Sequence, residues 1–490
     1  MAIIEAIQQQ PADRLAVRIG ALDISYGRLV ADVAAAAAQF AAQGVTTGSK
    51  LGLRAGNLRT GHSYPNWVAH LAAIRLGAAH VSIMDQSSLA AALQSGMIDT
   101  IIGPQGAIAD APAVLKRMVF DLDPTEPLTQ TVAPPDQSAA AVRLNLTSGT
   151  VGSPKFVSWN SKMIDARVAQ VADGLPIGPD TFLYPLLHIR TTAGFRYPLA
   201  VWHAGGCVLL PDNPDVCVRD EALGQSTLIP TSPVQLAERV RKFTEQWAGR
   251  DARTIVVLGG RLPPAIRDEA LGHACANLLV GYGSTETGSI AIGPAAMTDR
   301  HGGAVGFVRD GVTVEIVDNT LKPVAAGEPG AVRIKSEVMS PGYISSAVTT
   351  EASQFEDGYF YPGDIGRLFE DGLLAIEGRA TETLNVGGWK VSAPELESKL
   401  SFLPGVEDLA VCVMQLAEGD LLTIALVTRD SVDLQPIAEL IQSKLPQGRH
   451  FHLVRVQSIP RNAMGKIPRA MIATKLTELF TASQQNAVNA

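Results

Sequence analysis

Four short segments carry residue types that could do phosphate chemistry. Thr147-Ser-Gly-Thr-Val-Gly-Ser-Pro-Lys155 joins glycines, whose backbone N–H groups can turn inward, to the hydroxyls of Thr147, Ser148 and Thr150 and the ammonium of Lys155. With Gly149 at its turn, this is equipment for cradling a polyphosphate; no Gly-Lys-Ser/Thr ends it, so it is not a Walker A loop. In Gly281-Tyr-Gly-Ser-Thr-Glu-Thr-Gly288, Tyr282 offers an aromatic face to a planar base. Glu286 offers a carboxylate suited to Mg²⁺ beside phosphate oxygens, and Thr285 a hydroxyl for a phosphate oxygen. Tyr361-Pro-Gly-Asp364 could present a carboxylate to two ribose hydroxyls, and Arg461-Asn-Ala-Met-Gly-Lys466 sets a lysine in a loop. Taken singly, each segment also reads as an ordinary polar turn or solvated surface.

These residues need elements to hold them. Residues 29–42 form an Ala-rich helical run broken at Gly44, 50–54 a short strand, 67–76 a helix ended by Gly77, and 100–102 a strand closed by Gly103 and Pro104. Such alternation predicts an α/β fold with a largely parallel sheet. Four prolines between 120 and 140 predict a surface connection. The runs 254–258 and 277–280 are strands that end in Gly259-Gly260 and Gly281-Tyr-Gly283, and ligands gather at such carboxyl ends. Residues 313–317 and 331–334 are also β-like. The last hundred residues predict a unit of their own: paired strands 408–415 and 421–428, a helix 434–445, a strand 450–456 and a helix 467–480. His450 and His452 fall on one face of that strand without a third ligand for a metal.

Composition excludes several classes. The 490 residues are 46% hydrophobic and 18% charged, ordinary for a globular protein. The net charge of -8 argues against a nucleic-acid partner, since that needs a basic face. No apolar run reaches the roughly 20 residues that span a membrane. Residues 1–10 hold Glu5 and no basic residue, unlike a signal peptide. Cys207, Cys217, Cys275 and Cys412 show no zinc spacing, and the expectation is reduced, mostly buried thiols in a cytoplasmic protein.

In order, the segments resemble the adenylate-forming superfamily of acyl-CoA synthetases, nonribosomal peptide synthetase adenylation domains and firefly-type luciferases. The resemblance spans nearly the whole chain: Ser25-Tyr-Gly-Arg-Leu29 with Gly44 and Asn57, the 147–155 loop, Pro185-Leu-Leu-His188, residues 281–286, Gly327-Glu-Pro-Gly330 through Gly342-Tyr343, Gly363-Asp364, Gly378-Arg379, Gly387-Gly388, and 460–466.

The resemblance implies an α/β architecture: a large N-terminal multi-subdomain α/β region, residues 1–380, and a small mobile C-terminal α+β domain, residues 381–490, hinged at Thr381. It implies that the acid's carboxylate attacks the α-phosphorus of ATP, giving acyl-AMP and pyrophosphate, and that the thiol of coenzyme A takes the acyl group. Thr147, Ser148, Gly149, Thr150 and Lys155 would hold the β- and γ-phosphates, Thr285 the α-phosphate and Glu286 the Mg²⁺. Tyr282 would stack on adenine opposite Gly259, Gly260 and Arg261, while Asp364 and Arg379 take the ribose. Lys466 would bridge the carboxylate and the α-phosphate, His188 would stand at the acyl wall, and Gly387 and Gly388 would line the pantetheine passage.

Departures from the family pattern are Val151, Phe156, Pro362, Thr381 and Asn385, and a short stretch between Gly77 and Thr147. Arg190 and Arg196 either meet a second polar group of the acid or pair elsewhere. An acyl-AMP ligase loading a carrier-protein phosphopantetheine is a second reading, compatible with the same glycines. A non-catalytic nucleotide- or acyl-binding protein on the same fold is a third, against which Glu286, Asp364, Arg379 and Lys466 stand.

Overall fold

A computed structural model describes residues 2–55, 61–129, 142–147, 155–211, 221–242, 247–344, 354–386, 389–400, 403, 405–416, 419–428, 432–445, 450–460 and 467–488. One sheet has six strands, ordered Lys116–Val119, Thr100–Gly103, Lys50–Arg54, Ala79–Ile83, Val142–Thr147 and Lys155–Asn160. All neighbours run parallel except the last pair, a hairpin. A second, larger sheet is parallel through Leu15–Ile19, Cys207–Leu210, Phe182–Leu183, Leu228–Thr231, Thr254–Leu258 and Asn277–Ser284. From there it continues antiparallel through Gly288–Pro294, Ala304–Val308, Leu373–Arg379, Asp364–Leu368 and Gly330–Ser336.

Helices Tyr26–Ala42, Tyr64–Leu76, Ser161–Asp173 and Thr192–His203 contribute to one apolar core that also takes in residues of both sheets. Trp67, Trp159 and Trp202 are fully buried there, with Trp67 edge-on to Trp202 at 5.0 Å and stacked on Phe195 at 5.7 Å. Two helices begin before their apolar runs do. Ser25 Oγ accepts from Arg28 N at 3.3 Å and Ser63 Oγ from Asn66 N at 3.3 Å, so these caps start the helices at Tyr26 and Tyr64. Gly77, at φ 71°, ends the second in the left-handed region. Of the proline-rich stretch, residues 120–129 form neither helix nor strand, and Leu128 N is anchored on Asp32 Oδ1 at 2.8 Å.

From Thr383 onward the chain builds its own sheets. A hairpin pairs Thr383–Val386 with Trp389–Ser392, and a three-stranded sheet joins Val406–Leu416, Gly419–Thr428 and His452–Arg455. Helices Ala393–Leu400 and Leu434–Lys444 pack on one face and Arg469–Val488 on the other, each with its own core. His450 lies before the last strand, and His452, its first residue, meets the ring of Phe480 at 5.1 Å. No cluster of metal-ligating side chains is found among the described residues. No helix among them is long and apolar enough to cross a membrane. Cys207, Cys275 and Cys412 are buried and burial pushes their thiols up; Cys217 lies outside the described residues.

Three histidines sit in the core around Trp67 and Phe195. His62 is pushed down to about 4 and His80 to about 3, both chiefly by burial, and His70 goes well below its ordinary value for the same reason. Unfolded, the same side chains take up protons near pH 6.5. Between that pH and about 4 the unfolded chain therefore binds more protons, and stability falls as pH falls. Each histidine adds at most about 1.4 kcal/mol per pH unit to the slope. Urea midpoints at pH 7, 6 and 5 should drop in sequence, and His80→Asn, if it folds, should flatten the fall.

Candidate active site

The hairpin that ends the six-stranded sheet sets Thr147 opposite Lys155 as its last pair. Both ends of the 147–155 segment are thus delivered to one place; Ser148, Gly149 and Thr150 lie outside the described residues, as do Gly387, Gly388 and Lys466. The outer edge of Lys155–Asn160 is covered at Phe156, whose carbonyl accepts from Ile344 N at 2.6 Å.

The second segment differs from its sequence reading. The strand that begins at Asn277 does not stop at Val280 but runs on to Ser284, and Gly281, Tyr282, Gly283 and Ser284 pair with the strand Gly288–Pro294. Glycine is required because the partner strand comes very close: a Cβ on Gly283 would stand 2.1 Å from Gly288 O. The turn is therefore confined to Thr285, Glu286 and Thr287, tightened by Thr287 N donating to Ser284 Oγ at 3.2 Å.

This turn is held from below by Arg167, a fully buried residue of the helix Ser161–Asp173. Its Nη1 donates to Thr285 O at 2.9 Å and its Nη2 to Glu286 O at 2.9 Å; Nε and Nη2 both reach Val338 O, at 3.0 and 2.6 Å. The guanidinium lies 4.3 Å over the Trp159 ring, whose Nε1 also donates to Thr285 O at 3.3 Å. Ser340 N donates to Glu286 O at 2.7 Å. Burial and the nearby Arg196 charge push the Arg167 guanidinium down, and Glu286 opposes them.

Above the turn, Thr192 Oγ1, at the start of the next helix, donates to Thr285 Oγ1 at 3.2 Å. Glu286 is 7% exposed and makes no ion pair among the described residues; its side chain accepts from Tyr343 Oη at 2.9 Å. Tyr343 Oη is also 2.9 Å from Gln354 Oε1, which accepts from Lys155 Nζ at 3.4 Å. Lys155 and Glu286, distant in sequence, are thus joined through Tyr343 and Gln354.

Asp364 lies opposite Arg379 across adjacent strands, with Arg379 Nε 3.3 Å from Asp364 Oδ1. Its other oxygen accepts the phenol of Tyr282, whose pKa is raised well above its ordinary value by burial and then by the Asp364 charge. The tyrosine therefore contributes its hydroxyl to this cluster as well as its ring. Gly259 and Gly260 follow the neighbouring strand, where Leu258 is in register with Gly281. Gly259 needs its lack of a Cβ, since its φ is 82°.

His188 stands in the wall segment before that helix. Its Nδ1 accepts from Arg190 N at 3.0 Å, which leaves the proton on Nε2, and burial pushes it down to about 3. His62 fixes the same wall: its Nδ1 accepts from Trp67 Nε1 at 3.1 Å, so its Nε2 donates to Leu187 O at 2.7 Å. Arg196 is buried and donates to the carbonyls of Thr192 and Arg167 at 3.3 and 3.4 Å. Burial lowers Arg190, and the Asp85 charge opposes that.

Arg167, Trp159, Tyr343, Gln354 and His62 receive no role from the sequence. Only Arg167 leaves a signal there, as a charged residue on the face that Ile164, Val168 and Val171 bury. Replacing it with Met removes both of its donors to Val338 O and its donors to Thr285 O and Glu286 O, and should cost more than about 2 kcal/mol. Trp159→Phe, which removes one donor, should cost about 1 kcal/mol. Urea unfolding of the two variants checks the order.

The family model for AMP-binding enzyme matches residues 4–344. The chain is 28% identical to the probable CoA ligase CCL8 of Humulus lupulus over 375 residues, 68% of this chain and 60% of that protein. The chain thus spans less than two thirds of the length of this relative. ATP-bound MatB from Rhodopseudomonas palustris superposes with a TM-score of 0.81 at 22% identity, covering 98% of this chain and 99% of that one. The o-succinylbenzoate CoA synthetase of Bacillus subtilis, in complex with its acyl-adenylate intermediate, superposes with a TM-score of 0.81 at 19% identity, covering 96% and 97%.

Proposed function

The chain belongs to the family of AMP-binding enzymes, and from that premise we propose that it activates a carboxylic acid with ATP and passes the acyl group to the thiol of coenzyme A. The acid's carboxylate oxygen attacks the α-phosphorus; the bond to the β-phosphate oxygen breaks and pyrophosphate leaves. The thiolate sulfur then attacks the acyl carbon, and AMP leaves. The observation that carries this reading is the convergence on Tyr343 of Lys155, a cation, and Glu286, a carboxylate without an ion pair among the described residues. A carboxylate anion approaching a polyanion needs cationic charge where negative charge develops.

The donor set suits Mg²⁺, which takes one or two carboxylates and completes its shell with phosphate oxygens and water. Glu286 would hold it, and bound there it would draw charge from the phosphate oxygens. Thr147, Ser148, Gly149, Thr150 and Lys155 would bind the β- and γ-phosphates, and Thr285 the α-phosphate. Asp364 would take the ribose once its Tyr282 bond yields, with Tyr282, Gly259 and Gly260 flanking the base. Lys466 would stabilise the developing charge, Gly387 and Gly388 would admit pantetheine, and His188 would close the acyl wall. In this reading the chain divides at residue 380, Thr381 is the hinge, and the protein works in the cytoplasm.

ATP–pyrophosphate exchange with Mg²⁺ against aliphatic, aryl, hydroxy and dicarboxylic acids tests it. Acid-dependent exchange should fall about 10²–10³-fold in Lys466→Ala, taking an oxyanion-hole donor as the guide. Adding coenzyme A should yield a thioester; thioester on a carrier protein alone would change the acceptor. A folded protein that binds ATP and exchanges with no acid would overturn the reading.

A further inference from the structure

Two threonines stand side by side where the wall segment meets the helix Thr192–His203. Thr191 is the cap of that helix: its Oγ1 accepts from Gly194 N at 3.0 Å and donates to His188 O at 2.8 Å. Thr192 reaches elsewhere. Its Oγ1 donates to Thr285 Oγ1 at 3.2 Å, crossing from the first residue of the helix to the turn between two strands of the large sheet. The cap is already served by Thr191, so the helix does not need the Thr192 hydroxyl in order to start.

Both ends of this bond are held. Thr285 O takes Arg167 Nη1 at 2.9 Å and Trp159 Nε1 at 3.3 Å, which fix the backbone of the turn. The hydroxyl bond internal to the turn is made by Ser284 and Thr287, 3.0 Å apart. On the donor side, Arg196 Nε donates to Thr192 O at 3.3 Å and Nη1 to Arg167 O at 3.4 Å. One guanidinium thus joins the helix of Thr192 to the helix of Arg167, and the two threonines share a single support.

A hydroxyl carries one proton and two lone pairs. Thr285 gives a lone pair to Thr192, so its own proton points away from Thr192. In a chain of hydroxyls each is polarised by the one before it, which makes its proton a better donor. Such a donor matters most where attack at phosphorus raises the charge on a phosphate oxygen.

We propose that Thr192 is a positioning residue: it holds the Thr285 hydroxyl with its proton directed to the α-phosphate of ATP, and so ties the end of the wall segment to the reacting phosphorus. This rests on the reading that Thr285 binds the α-phosphate. Thr192 acts through Thr285, which separates it from a residue that only packs.

Initial rates of acid-dependent ATP–pyrophosphate exchange by the full-length protein, over a range of ATP, test it. Thr192→Val keeps the shape and removes the hydroxyl; kcat should fall about 3–10-fold, as for one hydrogen bond, while the KM for ATP changes less than about twofold. Thr192→Ser, which keeps the hydroxyl, should recover most of the loss. On a Thr285→Val background, Thr192→Val should cost nothing further, since the hydroxyl it serves is gone. Thr192→Ala removes the same hydroxyl without the branched side chain, and takes the place of the valine variant if that one does not fold. Equal losses in both backgrounds, a serine variant as slow as the valine one, or a loss confined to KM overturns the proposal. A wild type that exchanges with no acid overturns the adenylation reading, a result distinct from a wild type that exchanges while its two threonines act independently.

Discussion

A buried guanidinium on backbone carbonyls holds the turn at which the large sheet changes direction. The parallel strands end at Asn277–Ser284, and the antiparallel ones begin at Gly288–Pro294. The three residues between them must reverse the chain while presenting Thr285 and Glu286 upward. Reversal leaves carbonyls without strand partners, and a buried carbonyl without a donor costs about 1–3 kcal/mol. Arg167 supplies donors to the carbonyls of residues 285, 286 and 338 from one planar fork. A lysine carries the charge but not the fork. The choice of arginine thus follows from geometry, and the side chains of the turn inherit their placement from it.

Charge is distributed by depth. Arg143 and Arg167 are buried among carbonyls and aromatic rings, with Arg143 3.7 Å over Phe195 and donating to Ile189 O at 2.9 Å. The histidines beside them stay neutral because burial and the Arg143 charge both oppose a second proton-borne charge. This layer supports the segment 185–189 by hydrogen bonds to the carbonyls of Leu187 and Ile189. His62 shows how: its ring receives one bond from Trp67 and gives one to Leu187 O, so its tautomer is set by its neighbours. The carboxylates with ligand-facing roles in the proposed chemistry, Glu286 and Asp364, each accept from a phenol, and Asp364 also pairs with Arg379.

How much of the molecule is legible in the sequence depends on the range of the forces involved. Caps, glycine stops and apolar periodicity are local, and the strand Thr254–Leu258 and the helix stop at Gly77 can be read from them. The hairpin around Gly283 reads instead as a loop, because glycine signals both a turn and a close approach, and only the partner strand distinguishes them. The 285–286 pair is visible because its residue types carry its chemistry. Gln354 is not, and Arg167 shows only as a charge on a buried face, since their partners lie in carbonyls and side chains more than a hundred residues away. Tyr343 is one letter of a motif in the sequence, and only the structure shows Lys155 over its ring and Glu286 at its hydroxyl.

The Asp364–Arg379 pair also ties the second half of the large sheet to the terminal unit. Asp364 opens one strand and Arg379 closes its neighbour, so the pair sits at the last rung before the chain leaves the sheet. Ala380 N donates to Gly363 O at 2.9 Å, which fixes the backbone one residue beyond the arginine to the residue before the aspartate. Ser392 Oγ of the terminal unit donates to Glu377 O at 3.3 Å, beside a glycine, Gly378, whose Cβ would stand 2.9 Å from that hydroxyl. The 380–382 turn that follows Arg379 leads directly into the hairpin Thr383–Val386 and Trp389–Ser392. The segment that leaves the large sheet is thus fastened on both sides of residue 379, by the cross-strand pair and by the backbone bond.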